Sequence, residues 1–154
     1  LQRDKIYIIK HYERSIDWIN DLRRLSEDQW RMAIEPEKWS VAEVIGHLPP
    51  WDEFVLNHRL PFLFTEEPLP KGPDAAQLNK MAAKKSREQP MLATLTDFVS
   101  TRSRLLQAIQ QLTDEQWQQS FTIGQSELPI VDYFVGLINH DVHHFSQLQK
   151  VIQV

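Results

Sequence analysis

The chain has 154 residues, with 17 basic and 21 acidic side chains giving a formal charge of −4, no cysteine, and 42% apolar residues. That length holds a single domain, 1–154, with one sizeable core; no apolar run is long enough to cross a bilayer, and no basic stripe is present to meet nucleic acid or an anionic membrane. Without cysteine there are no disulfides, thiolate ligands or protein thiol nucleophile, which leaves His, Asp and Glu for any metal or acid–base chemistry.

Only four glycines, and few alternating β-branched stretches, argue for helix over sheet. Ile9, Tyr12, Ile16 and Ile19 recur at three- and four-residue spacing and predict a first long helix from about Asp4 to about Arg24. Leu25-Ser26-Glu27-Asp28-Gln29-Trp30 then places a capping Ser before two acids, the pattern of a short helical turn. Leu112-Thr113-Asp114-Glu115-Gln116-Trp117 repeats that chemistry, and each copy precedes a segment that ends in a histidine. The two copies read either as a pseudo-repeat, two helical hairpins each plugged by a Trp, or as two independent helix-start signals.

Ser40-Val41-Ala42-Glu43 has capping-box spacing and predicts the start of the second long helix, with Val44, Ile45 and Leu48 inward. Pro49 and Pro50 remove donors to the carbonyls of Ile45 and Gly46, so a bend that widens the bundle is expected at or just after His47, with helix resuming to about Leu60. Pro61, Pro68, Pro70 and Pro73, with Gly72, read as an irregular crossover loop. Asp74 to Glu88 reads as a polar helix. Pro90 fits the first turn of the third long helix, whose Leu95, Phe98, Val99, Leu105, Leu106 and Ile109 point inward up to Leu112. Phe121 to Pro129 is expected to be a loop, and Pro129 to open a last helix that runs to the C-terminus. The expected fold is therefore all-α: a four-helix bundle with a long crossover between its second and third helices.

On a wheel of the last helix, Ile130, Phe134, Ile138, Phe145, Leu148 and Ile152 cluster, Tyr133, Leu137, His140 and His144 run along one flank, and His143 falls opposite. Residues four apart stack one turn from each other, so His140 and His144 can aim two nitrogens at one ion. Partly buried histidines with ordinary hydrogen bonds are common, and the pair alone leaves both readings open. His47 lies on another helix, on the inward flank beside Val44 and Leu48, and a three-imidazole set from two helices would leave coordination positions free for water and substrate, as catalytic zinc sites do. Asp141 falls near the centre of the apolar face, either as an acceptor orienting a ligand imidazole or as a carboxylate paired with a helix N-terminus or an Arg. Gln147 lies close to the His140 flank, as a donor to a ligand or as an interfacial side chain. Tyr133 and Trp51 could line a pocket or belong to the core, and His11 and His58 lack a partner at ligand spacing. No phosphate-binding Gly loop, Ser-His-Asp order or His-Glu-x-x-His run is present.

Two segments, Lys38-Trp39-Ser40-Val41-Ala42-Glu43-Val44-Ile45-Gly46-His47-Leu48 and Asn139-His140-Asp141-Val142-His143-His144-Phe145-Ser146-Gln147-Leu148, resemble the Trp-Ser…His-Leu and closing His-x-x-x-His segments of the DinB/YfiT-like superfamily of metal-binding four-helix bundles. Pro49-Pro50 departs from the family pattern. The resemblance implies that His47, His140 and His144 bind one divalent ion. Family members include thiol-dependent S-transferases, a thiol-dependent isomerase and proteins described as metal-dependent hydrolases, so the expected function is a metal-assisted reaction on a small molecule. Zinc is the expected ion, with nickel or another late divalent ion as alternatives, activating either water or a low-molecular-weight thiol that must be diffusible because the chain has no cysteine. A non-catalytic, homo-oligomeric binding or stress-response bundle that keeps the metal for stability is the competing reading, and a helical module without metal is the third. A homodimer is one expected assembly. Lack of cysteine and of a charged-then-apolar leader gives a cytoplasmic expectation.

Overall fold

The computed structural model describes residues 2–152. Four long helical segments form the bundle: α1 (Gln2–Asp21), the broken pair α3 (Val41–Gly46) and α4 (Leu48–His58), α6 (Met91–Gln110) and α8 (Ile130–Val151). Around them sit α2 (Glu27–Trp30), α5 (Ala75–Glu88) and α7 (Asp114–Trp117), together with a hairpin of β1 (Ser120–Ile123) and β2 (Ser126–Pro129). α1 packs on α6 and α8, α6 also packs on α3 and α4, and α3 touches α8. None of the described helices is long and apolar enough to cross a membrane.

The two linker turns are built alike. Ser26 Oγ accepts from Gln29 N while Gln29 Oε1 accepts from Ser26 N, and Thr113 and Gln116 make the same reciprocal pair. Trp30 and Trp117 close these turns, and each is fully buried. They anchor two apolar clusters, one containing Ile19, Trp30, Ile45 and Leu148 and the other Ile8, Trp117, Phe134 and Ile138.

A polar layer separates the clusters, and it appears on every bundle helix. On α6 Arg102 stands between Phe98 and Leu105, on α4 Asp52 between Leu48 and Val55, and on α8 Asp141 between Ile138 and Leu148. On α1 Ser15 takes the corresponding place, and this corrects the sequence expectation there. The buried line runs through Ile8, Tyr12, Ser15 and Ile19, whereas Ile9 and Ile16 are only half-buried. Ser15 is inward because its hydroxyl accepts from Arg102 Nη1 at 3.1 Å and donates to the Tyr12 carbonyl at 2.8 Å.

The helix is interrupted at His47, as the prolines require. His47 is at once the C-cap of α3 and the N-cap of α4, and Pro49 and Pro50 lie in the first turn of α4, where amide donors have no intrahelical acceptor to lose. Beyond α4 the crossover begins with a 3₁₀ turn at Leu60–Phe62 and stays irregular up to Asp74, whose carboxylate caps α5. α5 comes so close to α3 that a Cβ on Gly46 would stand 2.6 Å from the Ser86 Cβ.

The segment expected to be a loop, Phe121 to Pro129, is the hairpin, with Ser120 opposite Pro129 and Ile123 opposite Ser126. Gly124 at φ +60° supplies the left-handed residue of its two-residue turn, and Phe121 is buried edge-on against Tyr133. Pro90 and Pro129 directly precede α6 and α8 in extended conformation rather than opening their first turns. The last helix, expected to run to the C-terminus, ends at Val151 with Ile152 in extended conformation, and residues 153–154 lie outside the described residues.

Candidate metal centre

His140 and His144 are one turn apart on α8, and their Nε2 atoms face each other at 3.3 Å. His47 meets them from the α3–α4 junction, with ring centroids 4.6 Å from His144 and 6.3 Å from His140. One ring nitrogen from each of the three lies within 4.8 Å of the other two. Two nitrogens bound about 2.05 Å from a tetrahedral ion stand about 3.3 Å apart, so the α8 pair already has ligand spacing.

On His47 and His144 the proton is held on the far side of the ring. His47 Nδ1–H donates to the Val44 carbonyl, which leaves its Nε2 as an acceptor. His144 Nδ1–H donates to Gln147 Oε1 at 3.0 Å, which likewise frees Nε2. Gln147 thus touches a candidate ligand as an acceptor, not as a donor. Trp39 packs on the His47 ring at 4.9 Å, and His47 is 3% exposed.

Burial pushes the His47 pKa down to about 4; His144 and His140 push in the same direction, and the bond to Val44 only partly offsets them. His144 is lowered too, by burial first and by its histidine neighbours, against the opposing bond to Gln147. Neutral imidazoles are the form that binds metal, so these residues fit a divalent cation: convergent nitrogens, tautomers fixed at His47 and His144, and no proton to displace from His47 at neutral pH. His140 is exposed, which opens the cluster to solvent on one side. Beside it lies a cavity of about 40 Å³, lined by Leu48, Trp51, Leu137, Asp52, Arg102 and Asp141.

The remaining sequence candidates divide. Trp51 borders that cavity and donates from Nε1 to Asn79 Oδ1 at 2.7 Å. Tyr133 sits with Phe121 and Phe134 instead, its hydroxyl pKa raised to about 12 by burial. His143 is exposed and outside the cluster, and His58 is exposed at the end of α4 beside Phe54. Asp141 takes the Arg-paired reading: its carboxylate accepts from Arg102 Nη1 at 2.7 Å and Nη2 at 3.2 Å, and from His11 Nε2 at 2.8 Å. His11 is therefore structural, through a partner 130 positions away.

Sequence reasoning missed Asp52 and Arg102. Their signal was present as charged residues at helix-face positions otherwise filled by Leu48 and Val55, or by Phe98 and Leu105. Arg102 Nε and Nη2 donate to Asp52 Oδ2 and Oδ1 at 2.6 and 3.1 Å. Burial raises the Asp52 pKa despite that partner, whereas for Asp141 burial is outweighed by Arg102 and His11 and the pKa falls.

The model of the DinB superfamily matches residues 11–148. The chain belongs to this superfamily. Among solved structures this DinB-superfamily chain is similar to YfiT from Bacillus subtilis, described as a probable metal-dependent hydrolase with an unusual four-helix bundle topology. The TM-score is 0.78 over 96% of this chain and 85% of that one, at 17% identity, a likeness of fold. None of the curated proteins matches the chain.

Proposed function

We propose that this DinB-superfamily chain is a metal-dependent enzyme in which His47, His140 and His144 hold one divalent ion, and that it uses the ion to hydrolyse a small-molecule substrate. The observation that carries the reading is the convergence of three imidazole nitrogens within 4.8 Å, with His140 on the solvent side. Zinc suits a neutral nitrogen set best, and nickel or another late divalent ion is the alternative. When bound, such an ion acts as a Lewis acid and lowers the pKa of a water or thiol beside it.

The chain's own residues supply the rest. Val44 and Gln147 keep the Nδ1 protons of His47 and His144 in place, so both rings present Nε2 throughout. Trp39 shields His47 from water. Leu137 and Trp51 border, beside His140, a cavity of about 40 Å³ with room for water. The description of YfiT as a probable metal-dependent hydrolase favours water over a diffusible thiol as the activated group. The chain has no cysteine, so thiol transfer needs an added thiol.

The test compares zinc-loaded and metal-free protein on activated esters and amides, and on a small thiol with an electrophile. Metal-dependent, pH-dependent hydrolysis that disappears in His144→Ala supports the proposal. Turnover only with thiol and electrophile, with a sulfur-to-metal band in the cobalt form, would make it an S-transferase. Metal binding with no turnover in either assay would leave the non-catalytic metal bundle. The homodimer and the cytoplasmic location belong to the same proposal; sedimentation of the purified chain and cell fractionation test them.

A further inference from the structure

Two of the three imidazoles need no tertiary help to meet, because His140 and His144 share one helix. His47, at the α3–α4 junction, reaches them across the bundle, so its distance from the pair depends on how α3, which touches α8, and α4 are held against α8. Apolar residues of α4 and α8 share the clusters on either side, and between them one polar side chain bonds to both helices. The Arg102 guanidinium donates to Asp52 on α4 at 2.6 and 3.1 Å, and to Asp141 on α8 at 2.7 and 3.2 Å. Asp141 directly follows His140, and Asp52 lies five residues after His47. Paired bonds from a planar fork fix both the separation and the rotation of the groups they hold, which a point charge does not. The fork itself cannot swing, since Arg102 is 1% exposed and packed against the Phe98 and Tyr12 rings at 4.7 and 5.0 Å.

A well-packed apolar layer would hold these helices together at least as firmly as a buried ion cluster. Hydrocarbon contacts, however, leave helix rotation loosely specified. We propose that Arg102 is a positioning residue for the metal centre: by clamping Asp52 and Asp141 it sets α4 against α8 so that His47 meets the His140–His144 pair. This rests on the three-histidine reading above. Arg102 acts through the helices and touches none of the three imidazoles itself.

Arg102→Lys keeps the positive charge between the carboxylates and loses the fork, while Asp52→Asn loosens the α4 arm alone. Zinc is titrated into the untagged chain against a chromophoric chelator. Each variant is expected to weaken zinc binding by about 10- to 100-fold, the range seen when groups supporting metal ligands are changed. In a double-mutant cycle, His47→Ala should cost at least about tenfold less affinity in the Arg102→Lys background than in the wild type, because His47 is already displaced. Ser15→Ala removes the Arg102 bond to α1 and neither carboxylate, and should leave affinity unchanged. Wild-type affinity in both Arg102→Lys and Asp52→Asn overturns the proposal, as does a full His47→Ala penalty in the Arg102→Lys background. Should Arg102→Lys fail to fold by circular dichroism, the same cycle is run on Asp52→Asn and decides the matter. A wild-type chain that binds no zinc overturns the metal centre itself, and that failure is seen before any variant is made.

Discussion

The bundle carries two polar clusters side by side, joined at the His140–Asp141 peptide, and they are built on opposite terms. Around Arg102 every strong donor has a carboxylate or hydroxyl partner, and the group is buried. Around His47, His140 and His144 the partners lie on the outer Nδ1 sides of His47 and His144, while the inner nitrogens converge with nothing but one another. Internal satisfaction marks the first as structure, and convergent nitrogens open to solvent on one side are what the proposed metal site rests on. Burial alone would have ranked them the other way, since Arg102 and Asp141 are more buried than His140 and His144.

If that contrast holds, the two clusters respond differently when broken. Arg102→Met leaves two buried carboxylates facing each other and should cost roughly 3–5 kcal/mol of stability in urea melts. A loss under about 1 kcal/mol would mean that the charged layer is wetter than its burial implies.

The histidine cluster should instead show itself through protons. In metal-free protein the His47 pKa of about 4 lies below its unfolded value of 6.5. The unfolded chain therefore takes up a proton first as pH falls, and the His47 contribution is complete above 6.5 and lost on the way down to 4. That contribution is about 3 kcal/mol, read as the difference between wild type and His47→Gln in melts across this range. Parallel pH profiles for the two proteins would contradict it. Next in size, Gln147→Leu strips the acceptor from His144 Nδ1 and should weaken zinc binding about tenfold without moving the melting midpoint of the metal-free chain.

The smallest effects concern the repeated turns. Ser26→Ala and Thr113→Ala should each cost about 1 kcal/mol and add in the double variant, because their boxes lie against separate apolar clusters. Strong non-additivity would mean that the two turns are energetically coupled.

What was legible in the sequence follows from how far each signal reaches along the chain. The α8 pair was readable because helical periodicity fixes residues four apart, and the break at His47 because two prolines fix it locally. The caps at Ser26, Ser40 and Thr113 were equally local. In the charged layer Asp52, Arg102 and Asp141 each stood out as a charge on an apolar helix face, but their pairing was not readable, since Arg102 meets Asp52 across 50 positions and Asp141 across 39, and no spacing rule connects them. The same layer hid the true inward line of α1, where a serine replaces the isoleucine that periodicity favours. The hairpin escaped because strands of four residues offer too few alternations, leaving Gly124 as its main cue.

Zinc stoichiometry of the untagged chain decides whether the three converging imidazoles form one metal site. Elemental analysis after equilibration with zinc should give one ion per chain for wild type and for His143→Ala, and none for His47→Ala, His140→Ala or His144→Ala. Full occupancy after His140→Ala, or equal loss from His143→Ala, would contradict the account.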